Sequence, residues 1–186
     1  MNQAPTIKKA TCVQGKTLKF KNATVNDAEF ILSLRTDIEK SKYLSVVSND
    51  VLAQQNWLKK YEQLTDQAYF IIHFNDEPIG TVRLYDQQGE SFSWGSWVLK
   101  NTRPSHAAME SALMVYSYGI NYLKFKAAHF DVRKGNERVW QFHESFGAVR
   151  TGENDLDYLY SINEQSISES RIKYQRFLDK NVEVVT

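Results

Sequence analysis

The spacing of apolar and polar residues changes several times along the chain, and each change marks an element. Leu18-Lys19-Phe20 alternates as a short strand does. Phe30, Ile31 and Leu34 then recur at helical spacing as far as Arg35, behind an N-cap at Thr24 with Asp27 three residues on. After a less regular stretch, 36–49, Asp50 opens a second helix with Trp57, Leu58, Tyr61 and Leu64 along one face. Residues 68–74 and 78–84 are rich in β-formers and flank the turn Asn75-Asp76-Glu77, which predicts a hairpin; 91–99 predicts a further strand. Gly95 in its middle signals a bulge or a close backbone approach.

The second half alternates helix and strand. Met109, Leu113, Tyr116, Ile120 and Leu123 share a face of a long helix over 105–123, with Ser105 as its cap, and 127–132 reads as a strand. A helix over 136–146 stops at Gly147, a strand follows at 158–162, and Ser166 with Glu169 predicts a capped terminal helix over 166–180. The order is β-α-α-β-β-β-α-β-α-β-α. It divides into a loose leader (1–16), one α/β domain (17–163) and a helical appendage (164–186) that packs on the body or on a second copy of the chain, as in a homodimer.

Composition narrows the classes of function. The 186 residues are 42% hydrophobic and 13% aromatic, enough for one core with strands or a lined cleft. A net charge of +1, with Lys and Arg scattered, argues against nucleic acid or a membrane surface as partner. Cys12 is the single cysteine, which rules out an intrachain disulfide and a thiolate metal site and fits a reducing, cytoplasmic setting. His73 and His129 lack ligand spacing, so no metal is expected. The chain has no signal-peptide pattern at its start, nor the run of about 18 apolar residues that a spanning helix needs.

The segment from Gly95 to Glu110 carries the chemistry, because a strand running straight into a helix N-terminus gathers unpaired N–H groups and the positive end of a dipole. Here the chain resembles the GNAT superfamily of N-acetyltransferases, in the branch of ribosomal-protein N-terminal and amino-sugar-nucleotide acetyltransferases. The likeness rests on Gly95, on Arg103-Pro-Ser-His-Ala-Ala108 against a loop of the form Q/R-x-x-G-x-G/A, on Glu110-Ser111, and on the helix from Asn136 to Gly147-Ala148. His106 stands where the loop's glycine is usual, and Ala148 where the family has Phe.

The resemblance implies a GNAT fold: a mixed, mostly antiparallel central sheet flanked by helices, here with an extra C-terminal helix. It implies acetyl-CoA as co-substrate, pantetheine along Trp97, Val98 and Leu99, pyrophosphate on Arg103, Ser105, His106, Ala107 and Ala108, and Asn136 opening the helix beside them. The family's catalytic tyrosine is matched by His143, a candidate proton donor to the departing thiolate. A base is not evident, since Ser93 fills the place of a strand glutamate. Arg35, Tyr43 and Trp57 resemble the acceptor-binding positions of amino-sugar-nucleotide acetyltransferases, a cation suiting phosphate and a ring suiting stacking. The expected function is N-acetylation of a small-molecule amine, a nucleotide-linked amino sugar in surface-glycan synthesis. A peptide N-terminus as acceptor, or a degenerate domain that binds CoA without turnover, remains the alternative.

Overall fold

The computed structural model describes residues 4–186. Its elements are β1 (Cys12–Gln14), β2 (Leu18–Asn22), α1 (Ala28–Arg35), α2 (Ile38–Ser41), α3 (Val51–Gln63), β3 (Ala68–Phe74), β4 (Glu77–Gln88), β5 (Ser91–Leu99), α4 (Ala107–Tyr116), β6 (Ala127–Arg133), α5 (Glu137–Ser145), β7 (Val149–Glu153), β8 (Asp157–Asn163), α6 (Glu164–Lys173) and β9 (Glu183–Val185). The strands form one nine-stranded sheet in the order β7-β8-β6-β5-β4-β3-β2-β1-β9. β5 and β6 run parallel and the other neighbouring strands antiparallel, the mixed, mostly antiparallel α/β architecture expected.

Both faces of the sheet's middle are covered, which is why 68–74 reads as a continuous apolar run. Phe70 and Ile72 of β3 join Phe20, Val82, Leu84, Phe92 and Trp94 beneath α4. Tyr69 and Ile71, pointing the other way, pack with Ile31, Leu58 and Tyr61 of α1 and α3. The helix starts follow the sequence signals where a polar side chain can reach a free N–H. Asp50 accepts from Leu52 N at 2.9 Å and Ala53 N at 3.3 Å, and Asp27 accepts from Thr24 N at 2.7 Å. Gly147, at φ +90°, ends α5 in the left-handed conformation that favours glycine.

The two ends of the chain differ from expectation. The leader contributes β1, which pairs with β2 on one edge and with β9 on the other, so the two termini meet in the sheet. Three-residue strands carry too little alternation to be seen locally, and distant partners hold them in place. The last helix is capped by Asn163, whose side chain accepts from Ser166 N at 2.8 Å, and it stops at Lys173. It packs on the body: Ile167 is buried, as is Leu178 beyond the helix end, and Ser170 Oγ donates to Phe146 O at 2.6 Å. α4 begins at Ala107 and not at Ser105, and it widens into a π-turn over Ser117–Tyr122, where Leu123 N bonds to Tyr118 O at 2.9 Å. Among the described residues no helix is long and apolar enough to cross a membrane.

Candidate active site

The site is made by a parting of strands. β5 and β6 pair only at Ser91 with Ala127, Phe92 with Ala128 and Ser93 with His129. Beyond Ser93, β5 stays on β4 alone, leaving the edge that faced β6 open. Its pairing with β4 is also interrupted: Arg83 faces Gly95 and Thr81 faces Val98, so Ser96 and Trp97 stand against Val82 as a bulge. Ser96 has φ +46°, and Thr81 Oγ1 donates to its carbonyl at 2.7 Å. Gly95 satisfies the close-approach reading as well, since a Cβ there would lie 2.9 Å from Tyr85 Oη.

On the α4–α5 side of the opening lies a cavity of about 380 Å³ lined by Trp97, Val98, Leu99, Arg103, Ala108 and Asn136, with Tyr43, Lys40 and Phe142 at its walls. Trp97 is fixed in that wall because its Nε1 donates to Ser111 Oγ at 3.0 Å. Arg103 Nη1 donates back to Lys100 O at 2.9 Å and so shapes the loop. Of the first turn of α4, Ala108 lines the cavity, whereas Ala107 N donates to Pro104 O at 3.0 Å and Glu110 N to His106 O at 2.9 Å, which leaves the N–H groups between them to face a ligand. The other residues expected at this end are placed differently. Ser105 is exposed and caps nothing, and Ala107 is wholly buried. The His106 ring turns away, its Nε2 2.8 Å from Thr17 Oγ1 and its face 5.8 Å from Phe74. Its backbone is right-handed helical (φ −82°, ψ −10°), a conformation that does not require glycine.

Glu110 explains why this helix N-terminus keeps its place. Completely buried, its carboxylate accepts from Thr17 N at 2.6 Å, Thr17 Oγ1 at 2.6 Å and Leu18 N at 2.9 Å. The β1–β2 turn is thereby bound to α4, a long-range role that the residue's helical spacing does not disclose.

On the α1–α3 side is a second cavity, of about 330 Å³, where Arg35 and Trp57 meet Tyr69, Arg83, Tyr85 and Ser96. Adjacent β5 residues, Ser96 and Trp97, thus line the two cavities separately. Arg35 Nη2 donates to Ser45 Oγ at 2.7 Å, and the Arg83 guanidinium lies 4.5 Å over the Tyr85 ring and 5.6 Å from that of Trp57. Arg35 Nε, Arg83 Nε and Tyr69 Oη are buried without a partner, and among the described residues neither arginine forms an ion pair. Tyr43 is separated from Arg35 and Trp57: it lines the α4–α5 cavity and donates to Gly135 O at 2.8 Å, tying the 36–49 stretch to the β6–α5 loop. Sequence reasoning missed Tyr69, Arg83 and Tyr85. The available signal was Arg83 itself, a cation between the apolar Val82 and Leu84 of β4.

His143 requires a correction. It sits where β5 and β6 part, but only 5% exposed, its ring centroid 4.1 Å from that of Phe130 and 5.2 Å from that of Trp94. Burial pushes its pKa down to about 3, and Nδ1 has no partner. A neutral imidazole keeps one ring N–H but is a far weaker acid than the imidazolium, so the enclosed ring does not suit the expected acid role. The linkage has a definite sign. Between pH 6.5 and about 3 the unfolded chain binds a proton here that the folded chain does not. Stability is therefore lost as pH falls through that window, by up to about 1.4 kcal/mol per pH unit from this group. His143→Phe is expected to lessen the acid slope measured by urea unfolding against pH; an identical slope in the variant contradicts the assignment.

Among the described residues no group of three His, Cys, Asp or Glu is arranged to hold a metal ion. A family model described as an acetyltransferase (GNAT) domain matches residues 17–149. Among curated proteins none matches significantly. Among solved structures, apo FdhC, described as a nucleotide-linked sugar GNAT, is 38% identical, with a TM-score of 0.81 over 90% of this chain and 98% of its own. A GNAT-family acetyltransferase from Bacillus anthracis is 19% identical, with a TM-score of 0.70 over 83% of this chain and 99% of its own. Mutant forms of the spermidine/spermine N-acetyltransferase SpeG from Vibrio cholerae are 14% identical, with a TM-score of 0.67 over 82% and 97%. The last two share the fold.

Proposed function

Because the chain belongs to the GNAT acetyltransferase family, we propose that it moves an acetyl group from acetyl-CoA to the amine of a nucleotide-linked amino sugar. The observation that carries this reading is the pair of arginines, Arg35 and Arg83, set without acidic partners among the rings of Trp57, Tyr69 and Tyr85. Two cations without acidic partners favour an anionic ligand, and the planar guanidinium matches phosphate oxygens two at a time. The same charges repel a polyamine or a peptide ammonium. The acids of the 36–50 stretch do not offset them: Asp37 bonds Lys40 Nζ at 3.0 Å, Glu39 lines the opposite cavity and Asp50 caps α3. FdhC, described as a nucleotide-linked sugar GNAT, supports the reading at 38% identity.

The donor belongs on the opposite side. The open edge of β5 along Trp97, Val98 and Leu99 suits the amides of pantetheine, and Arg103 with the α4 N-terminus suits pyrophosphate. Asn136 and Tyr43 close that cavity. A neutral amine, entering past Ser96, attacks the thioester carbonyl; the N–C bond forms and the C–S bond breaks. A thiol of pKa about 8.5 leaves readily as thiolate, so the absence of an acid at His143 is no obstacle.

The test is a thiol-release assay with acetyl-CoA and a panel of amines: nucleoside-diphosphate-linked amino sugars with the amine at different ring carbons, spermidine, and peptides beginning with Ser or Ala. Release with the sugar nucleotides alone is expected. Acetylated peptide beside untouched sugar nucleotide overturns the acceptor, and acetyl-CoA binding by calorimetry without turnover of any amine supports a binding domain instead.

A further inference from the structure

The acceptor cavity contains a hydroxyl for which the family reading gives no role. Tyr85 lines that cavity together with Ser96. Its register partner on β5 is Ser93, the last residue of β5 still paired with β6, and its oxygen reaches forward to Gly95, just short of the bulge. A Cβ on Gly95 would meet Tyr85 Oη at 2.9 Å, whereas the ring carbons Cε1 and Cζ would stay at 3.5 Å and 3.6 Å. The missing side chain therefore makes room for the hydroxyl and not for the ring. Arg83 completes the arrangement with its guanidinium 4.5 Å over the same ring.

Building on the transfer reaction above, we propose that Tyr85 is a catalytic residue whose hydroxyl takes the proton from the attacking amine. The amine N–H donates to Oη. As the N–C bond forms and the C–S bond breaks, nitrogen loses that proton to Oη while the phenol gives its own to solvent water, and the departing thiolate takes up a proton from water. The positive charge over the ring stabilises the electron density that the oxygen gains during the exchange. Gly95 is a positioning residue, because any larger side chain displaces the oxygen from the opening.

The experiment is a double-mutant cycle on whichever amine of the panel the wild-type protein acetylates. Tyr85→Phe is expected to lower kcat about 100-fold, as removal of a proton-transfer group does, with KM for acetyl-CoA and the melting temperature unchanged. Gly95→Ala is expected to lower kcat comparably in the wild-type background but by less than about threefold beside Tyr85→Phe, where the clashing oxygen is gone. Equal kcat for Tyr85→Phe and wild type, or fully additive effects, overturns the proposal. Tyr85-dependent transfer to a peptide and not to sugar nucleotides leaves it standing and refutes the acceptor reading; turnover of no amine refutes both.

Discussion

Glu110→Ala is expected to cost about 3 kcal/mol of stability, the largest single-residue loss anticipated on the donor side of the site. The carboxylate is completely buried and is the acceptor for two backbone N–H groups, Thr17 and Leu18, and for the Thr17 hydroxyl. Alanine leaves the buried Leu18 N–H without its acceptor and an empty space where the carboxylate was, while the exposed Thr17 can turn to water; an unsatisfied buried group costs its full desolvation. For a chain of this length the loss corresponds to a fall of about 10 °C in Tm. Glu110→Gln should cost less, because its carbonyl oxygen can still accept from the two N–H groups while its amide donates to Thr17 Oγ1. Thermal and urea unfolding of the two variants check this. An alanine variant within 1 kcal/mol of wild type, or a glutamine variant no better than alanine, contradicts the bonding described.

Arg83→Met is expected to do the opposite, removing function at little cost in stability. Arg83 is partly buried, with its Nε unpartnered, and desolvation holds its pKa below the usual arginine value. Replacing such a charge by an apolar chain of similar length is often neutral or stabilising. If the charge waits for a diphosphate, kcat/KM for the sugar nucleotide should fall about 100-fold, equivalent to about 2.7 kcal/mol of lost charge-assisted bonding, with acetyl-CoA affinity unchanged. Arg83→Lys should recover only part of this, since an ammonium lacks the planar fork. Steady-state kinetics together with a melting curve decide it. An unchanged KM for the acceptor in Arg83→Met removes the arginine pair from the argument.

Most of the residues proposed to take the donor were already adjacent in the sequence. Trp97, Val98, Leu99, Arg103, Ala108 and Asn136 do line one cavity. They are legible because one strand, one loop and the next helix lie in sequence, and the helix N-terminus supplies the same free N–H groups whatever surrounds it. The proposed acceptor side was only half evident in the sequence. Arg35 and Trp57 come together, but the residues between them, Tyr69, Arg83 and Tyr85, arrive from β3 and β4. Tyr43, expected with them, turns to Gly135 instead.

The sequence by itself determined the positions of the principal strands and helices, through periodicity, the caps at Asp50 and at Thr24 with Asp27, and the stop at Gly147. It determined the family through motifs carried on adjacent elements. Tertiary structure decided what depends on distant partners: that β1 and β9, too short to show alternation, join the two termini in one sheet, and that Glu110 binds the β1–β2 turn. Tertiary structure also decided that His143 is enclosed by Trp94 and Phe130 and held neutral. The reason is the same in each case. Local spacing reports which face of an element is apolar, but a buried group's charge state and bonding are set by the atoms that other elements bring around it.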